Sequence, residues 1–254
     1  MTITQRIKQH CKQLKLSAVA EHLDPAVAEA ESQQVSYLEL ISRLLEHEIS
    51  HRERKALQRR TKLARLPAGY NLDAYDYSAS GALEKPRLNH LRDLGWLEQN
   101  FNLILMGPSG TGKTYIAAGL CFDAVAQGYR AYFKTMDELI KVLKMKEITR
   151  TAATEYKRML KAHLLVIDDI MMFPVSQPDA VELFALINEL HEKASLIITT
   201  NKSPKQWADV LKDTVLTTAL LDRILYRCEI IKLTGNSYRM DNRQTIFENI
   251  NKNN

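Results

Sequence analysis

Apolar residues along this chain follow two different periods, and the change between them divides it. Val35, Leu38, Ile41, Leu45 and Ile49 fall three and four apart, the spacing of one helix face. Glycine is absent before Gly69 and Pro25 is the only proline before Pro67, so residues 1–66 read as a helical domain. Leu66-Pro67-Ala68-Gly69 ends that region, and residues 67–97 read as a linker with turn formers at Asn71, Asp73, Gly81 and Pro86. From residue 98 onward, short apolar runs alternate with helical patterns. Strands are predicted over 101–106, 129–133, 164–168, 196–200 and 229–233. Helices are predicted over 113–127 and 179–193, with two more between 137 and 161. Repeated βα alternation of this kind implies a parallel sheet between two helical layers. The expected architecture is therefore a three-layer α/β domain over 98–254 behind a small all-helical one.

The turn after the first predicted strand carries chemistry. Gly107-Pro108-Ser109-Gly110-Thr111-Gly112-Lys113-Thr114 fits G-x-x-x-x-G-K-[ST] in full, between a strand and a helix as that motif requires. Its glycines let successive backbone N–H groups turn inward on phosphate oxygens, and the following helix adds the positive end of its dipole. Residues 107–115, Tyr115 included, are the predicted ATP-binding stretch. Lys113 is expected to reach the β- and γ-phosphates and the Thr114 hydroxyl to ligate Mg²⁺.

The third predicted strand ends in two carboxylates, Asp168 and Asp169. Asp168 reads as the metal partner and Asp169 as the group that orients attacking water. An aspartate reaches about 1.5 Å less far than the glutamate usual in that role, which predicts slow hydrolysis. Asn201, at the end of the next strand, could touch γ-phosphate and water, and it reads equally well as a helix cap. Arg223 and Arg227 share one helix face. They fit an arginine finger for a neighbouring subunit's ATP as well as they fit surface salt bridges.

Net charge of +5 and a pI near 9.0 lean toward polyanionic partners, and the position of the charge sharpens this. Residues 50–65 hold seven basic residues against one acid, with Arg52, Lys55, Arg59 and Lys62 along one helix side. A second basic region between the second and third strands includes Lys144, Lys146 and Arg150. Such stripes suit a DNA backbone without reading its sequence, and each alone also fits a solvated helix face. His47-Glu48-Ile49-Ser50-His51 matches the zinc-protease pattern H-E-x-x-H, but it lacks a third ligand and sits in a basic helix, so it reads as chance. Three widely spaced cysteines argue against disulfides and structural zinc. With no signal-like N-terminus and no long apolar run, a cytoplasmic protein is expected.

GPSGTGKTYIAAGL, LLVIDDI, LIITTNKSPKQW, LLDRILYRCEIIKLTGNSYR and NLDAYDY together resemble the IstB/DnaC branch of the AAA+ ATPases, with IstB-like proteins the better match. The resemblance spans essentially the whole chain. It implies ATP binding by the phosphate loop, a Walker B pair at Asp168 and Asp169, a sensor at Asn201 and a finger at Arg223 ahead of Arg227. It also implies that Tyr75 and Tyr77 lie near the adenine. About 20 residues follow the fifth strand, too few for the usual helical lid, and Arg239 is a candidate for the missing lid arginine. The function implied is an oligomeric, DNA-binding ATPase that prepares target DNA and activates a transposase. A replicative helicase loader of the same branch is the alternative.

Overall fold

The computed structural model describes all 254 residues except 81, 82, 173, 242 and 244–254, so Gly81 lies outside the described residues. The chain forms two compact units, Met1–Arg60 and Thr61–Asn254.

The first unit is helical: α1 (Ile3–Gln13), α2 (Ser17–Gln33) and most of α3 (Tyr37–Ala64), whose last turn belongs to the second unit. Thr2 and Gln5 cap α1 reciprocally, each side chain bonding the other's backbone N–H. At the start of α2, Leu16 has no side chain to offer its orphan amides. Glu48 of α3 supplies the cap from 30 residues away: its Oε2 accepts from Ala18 N–H at 2.8 Å and Val19 N–H at 3.3 Å. Arg52, one turn on, donates to Glu48 Oε1 at 2.8 Å and to the Lys15 carbonyl at 2.8 Å. Burial pushes the Glu48 carboxyl up, but Arg52 and the two amides outweigh it and hold it below the usual carboxylate range. The glutamate of the zinc-like motif is thus a helix cap. No group of three or more metal-binding side chains occurs among the described residues. The periodic face of α3 stays largely open, with Leu38 80%, Ile41 52%, Leu45 48% and Ile49 56% exposed.

The second unit is the α/β domain. Its elements are α4 (Tyr77–Ser80), α5 (Lys85–Arg92), α6 (Gly95–Glu98), β1 (Asn102–Met106), α7 (Lys113–Ala126), β2 (Ala131–Thr135), α8 (Met136–Met145) and α9 (Arg150–Met159). Then come β3 (Leu164–Asp168), α10 (Gln177–Leu190), β4 (Ser195–Thr200), α11 (Trp207–Leu211), α12 (Thr214–Leu225), β5 (Cys228–Lys232) and α13 (Tyr238–Asp241). All five strands are parallel, in the order β2-β3-β4-β1-β5. Strands covered on both faces read as continuous apolar runs, and Leu103 to Leu105 and Leu164 to Ile167 are buried throughout. Ile104, Leu165, Ile167, Leu196 and Ile198 pack into one core with α8, α10 and α12. Alternate strand residues turn to the other face, which α7 covers.

Residues 67–97 belong to this second unit, and Leu72, Leu83, Leu88, Leu91, Leu94 and Leu97 are all buried. β2 runs two residues beyond the predicted end at Phe133 because Lys134 is buried in an ion pair with Glu155 of α9, which Arg65 also meets at 3.1 Å. No helix among the described residues is long and apolar enough to cross a membrane.

Candidate active site

Parallel strands deliver their C-terminal ends to one edge of the sheet, where open α/β folds place their ligands. β1 ends at Met106, residues 107–112 turn tightly, and α7 begins at Lys113. Two of these positions admit no side chain. A Cβ on Gly107 would lie 2.1 Å from the Leu233 carbonyl oxygen, and one on Gly110 would lie 2.0 Å from Ser237 Oγ. The stretch after β5 is thus pressed against the loop, and Tyr238 N–H donates to the Gly110 carbonyl at 3.0 Å. Lys113 Nζ donates to the carbonyls of Gly107 at 2.8 Å and Pro108 at 2.7 Å, and Thr111 Oγ1 donates to Pro108 O at 2.9 Å. Burial pulls the Lys113 ammonium below its usual range and nearby Arg239 adds to this, while Asp169 and Asp168 oppose it.

On β3, Asp168 is buried and takes the Thr114 hydroxyl at 3.0 Å on Oδ1 and 3.2 Å on Oδ2. Burial raises its pKa, with bonds from Thr199 and Thr114 acting the other way. β4 lies between β3 and β1, so Asn201 emerges beside both the phosphate loop and Asp169. These groups line a cavity of about 390 Å³, together with Ser109 to Tyr115, Met172, Tyr238 and Arg239. Main-chain N–H groups and an ammonium suit a triphosphate, and a hydroxyl beside a carboxylate suits a hard divalent cation. Lys113, Thr114 and Asp168 could therefore hold both.

Another wall comes from residues 67–69 and 74–76. Tyr75 lines the cavity, stacked 6.1 Å from Tyr115 and edge-on to Tyr77 at 5.0 Å. Tyr77 is not among the cavity-lining residues; it backs Tyr75. This wall is fixed to α7 because Leu72 occupies the space where a Cβ on Gly119 would stand, 2.2 Å from it. The Tyr115 hydroxyl donates to the Asn71 carbonyl.

Arg223 and Arg227 lie elsewhere. Arg227 O accepts from Asn102 N–H at 2.7 Å, at the start of β1, a strand length of roughly 16 Å from the cavity edge. Arg227 donates to Gln99 O at 3.1 Å; Arg223 donates to Asn188 Oδ1 at 2.7 Å and lies over the Phe184 ring. Among the basic residues, Lys55, Arg59 and Lys62 on α3 and Arg150 at the start of α9 are exposed. Arg52 is engaged with Glu48. Lys144 pairs with Asp179 at 3.0 Å, and Lys146 pairs with Glu182 at 2.6 Å under the Tyr156 ring. The sequence reading missed Thr199, whose hydroxyl touches both aspartates; the signal was a polar residue inside a fully buried strand.

A phosphate loop on β1, acidic residues on β3 and β4 between them define a P-loop NTPase fold of the AAA+ class. Two solved structures share it: DnaI (TM-score 0.55, 19% identity, 68% of this chain and 93% of that one) and the DnaC helicase loader (TM-score 0.54, 23% identity, 66% and 98%). The IstB-like ATP binding protein family model matches residues 9–246, and the chain belongs to that family. A Bacteroides fragilis protein, named for ATP binding in an IS21-like insertion sequence, is 49% identical over 97% of this chain and 94% of its own length. A Geobacillus stearothermophilus counterpart named for IS5376 is 32% identical, over 93% and 94%.

Proposed function

We propose that this protein is a magnesium-dependent, DNA-binding ATPase that assists transposition by preparing target DNA and activating a transposase. The observation that carries the reading is the convergence of Lys113, Thr114, Asp169 and Asn201 on one cavity, with the Thr114 hydroxyl bonded to Asp168. Main-chain amides of residues 109–114 bind the phosphates and Lys113 swings from the loop carbonyls to the β- and γ-phosphates. Thr114 and Asp168 would hold a magnesium ion, which would supply charge neutralisation for the phosphates. Asp169 holds the attacking water and Asn201 reports the γ-phosphate to β4. The tyrosine wall takes the adenine.

Arg223 and Arg227 sit too far from their own cavity to serve it, which supports a finger acting on a neighbouring subunit. The open apolar face of α3 supports self-association. Lys55, Arg59, Lys62 and Arg150 offer exposed charge to duplex DNA, largely without sequence preference. A helicase loader is the second reading; the fold it shares with DnaC does not separate the two, and close identity to an insertion-sequence protein favours the first.

Lys113→Ala tests the reading. Its ATP affinity should fall by roughly 10- to 100-fold, and ATP-dependent assembly on duplex DNA should be lost. Nucleotide affinity equal to that of the unaltered protein would refute the site.

A further inference from the structure

Thr199 is fully buried in β4, and three consecutive residues of the β3 exit bond to it. Its Oγ1 donates to Asp168 Oδ1 at 2.6 Å and accepts from Asp169 N–H at 2.8 Å, and its carbonyl accepts from Ile170 N–H at 3.0 Å. A hydroxyl has one proton and two lone pairs, so a single atom fixes the side chain of one aspartate and the backbone of the next. Donation to Oδ1 helps set the rotation of the Asp168 carboxylate, which the Thr114 hydroxyl also meets, at 3.0 Å on Oδ1 and 3.2 Å on Oδ2. Asp169 lies at φ 55, a left-handed conformation uncommon for non-glycine residues though more accessible to aspartate than to most. Its N–H bond to Thr199 anchors that turn, and Asp169 forms part of the cavity lining.

We propose that Thr199 is a positioning residue: it aims the Asp168 carboxylate at the metal position and holds the turn that presents Asp169 to water. It rests on the ATPase reading above. Outer-shell partners of metal-holding carboxylates act in this way, and losing one typically costs 10- to 100-fold in metal affinity or activity. The bond also joins the exit of β3 to the strand that carries Asn201, so the metal-holding and phosphate-reporting groups share one support.

The test compares Thr199→Val, which keeps the branched shape without the hydroxyl, with Thr199→Ser, which keeps the hydroxyl without the methyl. Calorimetry with ATP in EDTA should give the same affinity for both variants and the unaltered protein. The Mg²⁺ concentration needed for half-maximal tightening of ATP binding should rise about tenfold or more for Thr199→Val. At saturating Mg²⁺ its kcat should fall by a similar factor with KM little changed, and Thr199→Ser should stay within a few-fold of the unaltered protein. A Thr199→Val protein with unchanged Mg²⁺ response and kcat would overturn the proposal. Should Thr199→Val not fold, Thr199→Ser decides alone: retention of the Mg²⁺ response supports it, and its loss overturns it. Failure of the ATPase reading would show separately, as unchanged nucleotide affinity in Lys113→Ala.

Discussion

The two units treat their polar and apolar residues in opposite ways. In residues 61–254, the leucines and isoleucines of β1, β3 and β4 are sealed between helices, and Lys113, Asp169 and Asn201 line one cavity at the sheet edge. In residues 1–60 the buried apolar side chains are few and small (Cys11, Ala18, Val19, Leu23 and Ala30), a carboxylate is sealed inside, and the longest apolar stripe faces out. A 60-residue unit has little interior to fill, so caps and ion pairs carry more of its definition. The larger unit buries two ammoniums: Lys113 sits against the phosphate-loop carbonyls, and Lys134 is answered by Glu155. The contrast shows that one helical period can mark a core face or an open one, and that the partner element decides which.

Breaking the buried pair should have the largest effect. Glu155→Gln leaves Lys134 charged and sealed in β2, and should cost about 3–5 kcal/mol in denaturant unfolding of the second unit. A loss below 1 kcal/mol would mean that the ammonium finds water. Glu48→Gln should cost less, about 1–2 kcal/mol, and only within residues 1–60, seen as faster amide exchange at Ala18 and Val19. The Glu48 pKa is depressed on folding, so its contribution is complete above the unfolded value of about 4.3 and fades as pH falls through the folded value. Acid unfolding of the first unit should show that dependence in the unaltered protein, and Glu48→Gln should flatten it. Leu38→Lys with Ile41→Lys should change stability by no more than about 0.5 kcal/mol per site, because both side chains are already wet. Sedimentation with ATP and duplex DNA should nevertheless shift to smaller particles, and unchanged particle size would remove the stripe from assembly.

Much of this architecture is legible in the residues. Buried parallel strands announce themselves as apolar runs, and Asp168 at the end of such a run stands out because little else ends a strand that way. The order of those strands is not legible, since each crossover can reach either neighbour. β2 continues through Thr135 on account of Lys134 and Glu155, which lie 21 positions apart and carry no local pattern. Residues 67–97 look like a linker because their leucines are interrupted by turns, yet those leucines fill the second unit and set the tyrosine wall. Thr199 went unread for a related reason: a threonine in a strand is ordinary, and only the return of β4 beside β3 gives its hydroxyl two aspartates.

The backbone bond from Tyr238 N–H to the Gly110 carbonyl reaches further than its length. A peptide group is flat, so pinning that oxygen on the outside of the turn also aims the Thr111 N–H, which points the opposite way. One of the amides proposed above to bind a phosphate is therefore steered by a residue that the ribosome adds more than a hundred positions later.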